Sequence, residues 1–386
     1  MAIVPIQPDV LAAKAHAVTP AAATRVAVQL DRVSKRLGGA TALHGVSLHI
    51  FEGEFVTLLG PSGCGKSTLL NLLAGLAEAD AGELFIDGVR VTDTPPAQRD
   101  IGLVSQNYAL LAHLTVAKNV ANGLQLRGVS KAEIAQRVEQ TLALVKLDGY
   151  GDCKPRALSR GQQQRVALAR VLVTRPKVLL LDEPFAALDK PLRLALQIEL
   201  KDLQRKLGMT TLLVTHDQSE ALGLSDRVVV MRAGRVRQVG TPDALYRHPQ
   251  DAFVAGFVGD VNILPGRYLR RDSRATLDVG ASALRVPSER VHAQVGERLD
   301  IFVRPEHIRL GPLGPNALLS ATVVAHVFQG DHMDIHLDVS ALGNTRIFTR
   351  QPGLDALLRW PVGTAAGLSF ATDGVCAFAA VTPPSS

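Results

Sequence analysis

The sequence contains little cysteine, few aromatic residues and no long uninterrupted apolar run. Its three cysteines, Cys64, Cys153 and Cys376, are odd in number and far apart, which argues against a disulfide framework or a metal-binding knuckle. Such sparse use of cysteine favours a reducing compartment. Because no stretch of about 18 apolar residues occurs, the sequence predicts no membrane-spanning helix.

The sequence also lacks a dense run of basic residues. Its 42 lysines and arginines exceed its 36 acidic residues, which gives a formal net charge of +6 over 386 residues. A charge this small for a chain of this length does not indicate a nucleic-acid partner. Residues 1–25 lack the basic and apolar segments of a signal peptide, and we interpret them as a flexible tail.

Two different kinds of segment make up the remainder of the chain. Between residues 26 and 258, continuous apolar strands alternate with helical patterns, which predicts an α/β fold with a mostly parallel sheet covered on both faces. Helical patterns dominate from about 107 to 172. Residues 259–386 contain short strand-like runs with frequent glycine and proline, which predicts a second, all-β domain.

The stretch GPSGCGKST, residues 60–68, lies between a predicted buried strand and a predicted helix and matches G-x-x-x-x-G-K-[ST]. Its glycines allow main-chain N–H groups to curve around phosphate oxygens, and a helix N-terminus favours negative charge. Lys66 is expected to neutralise the β- and γ-phosphates of ATP, and the Ser67 hydroxyl to ligate Mg²⁺. The alternative is a glycine-rich turn with a solvated lysine. The predicted nucleotide-binding residues here are Gly60, Pro61, Ser62, Gly63, Cys64, Gly65, Lys66, Ser67 and Thr68.

Two adjacent carboxylates follow the apolar stretch KVLLL, residues 177–181. Neighbouring side chains on a strand point apart, so Asp182 and Glu183 can serve different purposes. Asp182 is expected in the Mg²⁺ shell, and Glu183 is expected to polarise the attacking water as a general base. The alternative is a buried strand that ends in an acidic turn.

Two further polar residues, Gln106 and His216, end the apolar strands predicted in IGLVSQ and TLLVTH. Ligands of doubly wound folds bind at the carboxyl ends of the parallel strands. We therefore expect His216 to contact the γ-phosphate as a catalytic residue, and Gln106 to ligate Mg²⁺ or position water. The alternatives are a structural histidine and an ordinary polar strand end.

The segment ALSRGQQQRVALARVL, residues 157–172, predicts by itself only an amphipathic helix capped by Ser159. Together with the preceding motifs, it resembles the signature of ATP-binding cassette (ABC) ATPases, and the resemblance extends over residues 26–260. It implies a P-loop, RecA-like core with a helical subdomain at about 107–172, and a homodimer that closes on ATP. The residues that it implies as nucleotide contacts beyond the phosphate loop are Leu37, Gln106, Ser159, Arg160, Gly161, Gln162 and Asp189.

Three other stretches resemble the ATPase subunits of bacterial binding-protein-dependent importers: NYALLAHLTVAKNVANGL, VGTPDALYRHPQDAFVAGFVGDVNIL and IFVRPEHIRL. The last stretch implies that the C-terminal domain is an OB-like regulatory (TOBE) domain. The resemblance also implies transmembrane permease subunits as partners and, indirectly, a periplasmic solute-binding protein. It places the chain peripherally at the cytoplasmic face of the inner membrane, with no nucleic acid bound.

Two of the departures from the family pattern fall on residues that are implied as nucleotide contacts. Arg160 stands in the signature where the family usually has glycine, and Leu37 stands where an aromatic ring often stacks on adenine. Leucine still offers apolar area to the base but lacks the ring–ring interaction, which predicts looser binding and little base selectivity.

Function within the family remains open at this point to several alternatives. The stretch GDVNIL is closest to importers of polyamine, phosphonate, sulfate and ferric iron, and we expect a polyamine or aminophosphonate-like cargo. Sulfate, ferric iron or sugar import is the alternative, followed by a soluble ABC ATPase that acts on ribosomes or DNA and by export through a separate permease. A non-hydrolysing regulator would lack Glu183 or His216, and both are present.

Overall fold

The structure is a computed structural model that describes residues 25–186, 188–280, 282–315, 317–353 and 355–380. Apart from Arg25, the segment interpreted as a flexible tail lies outside these ranges. No helix within them combines the length and the apolar composition needed to cross a bilayer.

Residues 26–258 form two sheets with helices packed against them. The strands are β1 (Val26–Leu37), β2 (Ala40–Phe51), β3 (Phe55–Leu59), β4 (Ala81–Ile86), β5 (Val89–Arg90), β6 (Ile101–Val104), β7 (Val178–Asp182), β8 (Thr210–Thr215), β9 (Arg227–Arg232) and β10 (Arg235–Gly240). The helices are α1 (Lys66–Ala74), α2 (Val116–Leu126), α3 (Lys131–Leu144), α4 (Arg160–Leu172), α5 (Lys190–Leu207), α6 (Gln218–Leu224), α7 (Pro242–Arg247) and α8 (Ala252–Phe257).

The larger of these sheets has the strand order β10-β9-β3-β8-β7-β6 and is parallel except for β10. Every residue of β3 and β8 is buried, which explains why FVTLL and TTLLVT are apolar or threonine throughout. Because β3, β6, β7 and β8 point the same way, the segments that follow them emerge at one edge. The phosphate loop, Gln106, Glu183 and His216 follow these four strands in turn.

The smaller sheet has the order β2-β1-β4-β5 and is antiparallel. Strand β4 lies between β1 and the two-residue strand β5. An Asp-Gly turn follows β4, with Asp87 and Gly88 both at positive φ.

Helices α2, α3 and α4 each begin at a hydroxyl side chain that caps the helix. Thr115, Ser130 and Ser159 accept hydrogen bonds from the main-chain N–H groups of the first turns. In α3 the apolar face is buried and forms part of one core with β6, β7 and α5. Helix α5 ends before Gly208, which caps it in the left-handed conformation.

The C-terminal part forms two further sheets around a separate apolar core. Their orders are β13-β12-β11-β15-β21-β14 and β16-β20-β17-β18-β19. The strands are β11 (Asn262–Arg271), β12 (Ala275–Val279), β13 (Ser282–Val286), β14 (Val291–His292), β15 (Arg298–Val303), β16 (Ile308–Gly311), β17 (Leu319–Phe328), β18 (His332–Val339), β19 (Thr345–Pro352), β20 (Ala365–Phe370) and β21 (Val375–Ala379), with a short helix α9 (Asp355–Arg359).

A small apolar cluster joins the two parts of the chain. Ala255 of α8 packs with Phe302 of β15 and with Cys376 and Phe378 of β21. Burial raises the pKa of the Cys376 thiol to about 11, so this cysteine stays protonated and acts as an apolar side chain. The C-terminal domain is therefore packed on the last helix before the linker.

Candidate nucleotide-binding site

The phosphate loop is closely packed at two of its glycines. A Cβ atom at Gly60 would lie 2.4 Å from the carbonyl oxygen of Met231, and one at Gly65 would lie 2.6 Å from that of Ala42. Gly65 also has a φ of 103°, which side-chain-bearing residues rarely adopt. By contrast, Gly63 has open space around its Cβ position. The loop therefore needs glycine at positions 60 and 65 to pass between β2 and β9.

Lys66 and the start of α1 supply the positive end of the site. The Lys66 ammonium is buried and donates hydrogen bonds to the carbonyl oxygens of Gly60 at 2.7 Å and Pro61 at 3.0 Å. Within the described ranges, the main-chain N–H groups of Ser67 and Thr68 donate to no protein acceptor. Unpaired N–H groups and an ammonium group at one helix N-terminus form a site suited to phosphate.

The Ser67 hydroxyl lies beside the Asp182 carboxylate, at the junction of α1 and β7. Burial raises the pKa of Asp182, as does the neighbouring Glu183 charge, whereas the hydrogen bond from Ser67 and the Lys66 charge lower it. A carboxylate and a hydroxyl are hard oxygen ligands of the kind that Mg²⁺ takes. The raised pKa means that a bound cation would relieve an unfavourable charge. The pair therefore fits a magnesium ion shared with phosphate.

Glu183 leaves the sheet through a left-handed backbone rather than by strand alternation. Its φ is 45°, and its N–H donates to the carbonyl of Val214 at 2.9 Å. The predicted divergence of Asp182 and Glu183 thus has a different cause, because β7 ends at Asp182. A left-handed conformation costs a glutamate about 1–2 kcal/mol, and strain of this type is concentrated at functional sites.

Glu183 contacts both of the other predicted strand-end residues. Its Oε1 lies 3.1 Å from Nδ1 of His216, and Nε2 of Gln106 donates to its Oε2 over 3.5 Å. His216 is 62% exposed and Glu183 24% exposed, so the pair is accessible to a ligand in the cleft. The sheet thus brings three residues together that are distant in sequence. In this arrangement Gln106 contacts the predicted base rather than Asp182.

Leu37 lies at the tip of the β1–β2 hairpin, where it pairs with Ala40. Two residues beyond Ala40, the carbonyl oxygen of Ala42 would lie 2.6 Å from a Cβ atom placed on either Gly65 or Gly234. The Leu37 side chain is 52% exposed, so its apolar surface is available at the tip of this hairpin. This position is compatible with the predicted contact to a base.

The signature segment forms the start of α4 and has a reciprocal cap. Ser159 Oγ accepts from the Gln162 N–H at 3.3 Å, while Gln162 Oε1 accepts from the Ser159 N–H at 2.9 Å. Arg160 is exposed at the first helical position, and Gly161 packs under Leu192. Among the described residues, no hydrogen bond or ion pair joins 159–162 to 60–68. The chain does not bring its own signature to its own phosphate loop through such a contact.

Asp189 caps α5 by accepting the Leu192 N–H at 3.0 Å. One turn later, Arg193 donates to the carbonyl of Leu188 at 3.1 Å and to Asp217 at 2.9 Å. Asp217 follows His216 directly. Sequence reasoning missed Arg193, because nothing in an amphipathic helix marks one arginine as the partner of a residue beyond the next strand.

Two comparisons with protein families match the two parts of the chain. Residues 43–186 match the ABC transporter family, and residues 301–378 match the TOBE domain. The chain is 49% identical over 308 residues to the spermidine/putrescine import ATP-binding protein PotA of Rubrobacter xylanophilus, which covers 79% of this chain and 81% of that protein. It is 46% identical over 360 residues to PotA of Thermobifida fusca, with 90% of each covered.

The chain belongs to the ABC transporter family. The P-loop core with a helical subdomain and the C-terminal TOBE domain are those of this family's fold, which confirms the predicted fold class. Among solved structures, cbiO1 of Clostridium perfringens aligns with a TM-score of 0.55 at 31% identity, over 58% of this chain and 92% of that one. The ATP-binding cassette MJ0796, in a dimeric post-hydrolysis state bound to ADP and Pi, aligns with a TM-score of 0.51 at 35% identity, over 56% and 98%.

Proposed function

We propose that this ABC ATPase hydrolyses ATP with Mg²⁺ as a homodimer and thereby powers import of a polyamine, such as spermidine or putrescine, through a separate membrane permease. One observation carries the ATPase assignment: a single sheet edge holds the phosphate loop, the Ser67–Asp182 pair and the Glu183–His216 contact. The names of the PotA relatives support the cargo.

Different residues of the site have different roles in ATP hydrolysis. The N–H groups of the phosphate loop and the Lys66 ammonium bind the β- and γ-phosphates and stabilise the negative charge that develops on them during hydrolysis. Ser67 and Asp182 would hold Mg²⁺, which supplies charge neutralisation when bound. Glu183 accepts a proton from the attacking water, and His216 and Gln106 hold its carboxylate in place.

A homodimer explains why the signature segment lies apart from the phosphate loop. Ser159, Arg160, Gly161 and Gln162 would complete the nucleotide site of the partner subunit, together with Asp189. The N-terminus of α4 would then direct its first N–H groups at the γ-phosphate. The dimeric state of the related cassette MJ0796 supports this arrangement.

The membrane and the solute are reached through other proteins. We place the chain at the cytoplasmic face of the inner membrane, bound to permease subunits, with a periplasmic solute-binding protein acting indirectly. Sulfate, iron or sugar import is not favoured, because the relatives of 42–49% identity bear the spermidine/putrescine name.

Reconstitution in liposomes with the permease encoded beside this chain tests the proposal. ATP turnover should rise severalfold when the binding protein carries spermidine or putrescine, and not when the same binding protein is offered sulfate, ferric iron or maltose. Stimulation by another solute alone would refute the cargo. Absence of Mg²⁺-dependent ATP hydrolysis by the folded chain would refute the enzymatic assignment.

A further inference from the structure

Three consecutive residues after β8 are each held by a different element. His216 contacts Glu183 at the end of β7. Asp217 is held by Arg193 of α5, at 2.9 Å. Gln218, the first residue of α6, accepts a hydrogen bond through Oε1 from the N–H of Gly259, at 2.7 Å. The position of His216 is therefore set from both sides of the sheet edge.

Gly259 lies in the linker that leads into the C-terminal domain, between α8 and β11. Its φ is 75°, and a Cβ atom there would lie 2.6 Å from the ring of Tyr246. Both conditions exclude a side chain at this position. The Gly259 N–H, which donates a hydrogen bond to Gln218, thus belongs to a residue whose backbone is closely constrained.

The C-terminal domain contacts the same residue, Gly259, through Arg304. This buried guanidinium donates to the carbonyls of Gly259 at 3.3 Å and Asp260 at 3.1 Å, and it stacks on the Tyr246 ring at 4.3 Å. The Tyr246 hydroxyl in turn bonds Glu306 of the same domain. Gly259 is therefore bonded through its N–H to the ATPase core and through its carbonyl oxygen to the β domain.

We propose that Gln218 is a positioning residue for ATP hydrolysis, through which the C-terminal β domain sets the orientation of His216. Only Asp217 separates Gln218 from His216, and α6 has just seven residues, Gln218–Leu224. A displacement of Gly259 by the β domain would thus act on Gln218, two residues from His216, which contacts Glu183. The inference rests on the proposed ATPase function.

Full-chain variants and a matched control test this connection. Q218M removes the acceptor at nearly constant volume, so kcat for ATP should fall at least threefold while the Kd of a non-hydrolysable ATP analogue changes less than twofold. Q218E keeps the acceptor and should restore kcat to within twofold of wild type. The control is Q238M, because Gln238 is a buried residue of β10 that donates to the carbonyl of His248 and accepts from the N–H of Gln250, but makes no hydrogen bond to α6 within the described residues. Q238M should keep the wild-type kcat.

A double variant distinguishes coupling between Arg304 and Gln218 from two independent defects. R304M as a single variant should lower kcat, but in the Q218M background it should cause no further loss, because Gln218 no longer bonds Gly259 there. Y246F serves as a second domain-side variant, since it keeps the ring against Arg304 and removes only the bond to Glu306. Losses that multiply in the Q218M double variants, or an unchanged kcat in Q218M, would overturn the inference. A wild-type chain without ATPase activity would instead refute the proposed function.

Discussion

Nδ1 of His216 lies 3.1 Å from Oε1 of Glu183, although 33 residues separate them in the chain. The parallel pairing of β7 with β8 makes this contact, because it places the two strand ends side by side. A general base whose carboxylate is held by a second side chain has a fixed orientation toward the water that it deprotonates. The same carboxylate receives Gln106 from β6, so three strands determine its orientation.

Replacement of Glu183 by glutamine should nearly abolish turnover and leave ATP bound. The amide preserves the shape of the side chain but cannot accept a proton from water, and general-base catalysis contributes about 10²–10⁴-fold in rate. We expect single-turnover hydrolysis to fall by about that factor, and a stable ATP-bound dimer to appear in size-exclusion chromatography. Single-turnover hydrolysis close to the wild-type rate would remove Glu183 from the base role.

Loss of the Ser159 cap should separate its structural role from its functional role. S159A removes half of the reciprocal cap and should destabilise α4 by about 1 kcal/mol. If Ser159 also faces the partner's nucleotide, S159A should slow ATP turnover several-fold without weakening ATP binding to the monomer. Urea unfolding and steady-state ATPase assays measure the two effects.

Ser130 provides the control for that variant. Ser130 Oγ caps α3 by accepting a hydrogen bond from the N–H of Glu133 at 3.3 Å. This distance equals that of the bond that Ser159 Oγ accepts from the N–H of Gln162. S130A should therefore cost a similar free energy of unfolding and leave turnover unchanged. Equal turnover losses in S130A and S159A would show that only helix stability is involved.

An aromatic ring at position 37 should tighten nucleotide binding. L37F would add a ring–ring interaction with the base of about 1 kcal/mol, which corresponds to roughly a fivefold lower Kd. Because stacking does not depend on the hydrogen-bonding groups at the edge of the base, the Kd values of ATP and GTP should fall by a similar factor. Titration with both nucleotides checks this; an unchanged Kd for both would place the base elsewhere than against the β1–β2 hairpin.

The strand ends that build the site could be predicted from sequence, because apolar runs and terminal polar residues are local patterns. The helix after the phosphate loop and the helix capped by Ser159 could be predicted for the same reason. The left-handed backbone of Glu183 could not be predicted, since nothing in LLLDEP distinguishes it from strand alternation.

Contacts between distant segments were likewise beyond local reasoning. The Arg193–Asp217 pair spans 24 residues and the Gln218–Gly259 bond spans 41. Each depends on how strands are ordered and how the linker crosses the core. The local sequence around a polar helix residue does not indicate its partner in the fold. The contacts that link the site to its surroundings can therefore be identified only from the three-dimensional structure.

A buried carboxyl next to the site should make stability depend on pH. Glu220 is 3% exposed, and its Oε2 accepts the Thr215 hydroxyl at 2.6 Å. Burial raises its pKa, the nearby Asp217 charge raises it further, and the bond from Thr215 and the charges of Arg193 and His216 oppose this. The folded chain therefore holds this proton more tightly than the unfolded chain does.

The free energy of unfolding should accordingly decrease as pH rises from the usual glutamate pKa through the raised pKa of Glu220, and be largest below that window with respect to this group. E220Q keeps an acceptor for Thr215 and has no proton to lose, so its decrease over the same window should be smaller. Urea titrations at a series of pH values measure the slope. E139Q, on the exposed face of α3, should keep the wild-type slope; a slope in E220Q as steep as in wild type would mean that Glu220 is ionised at no cost in the folded chain.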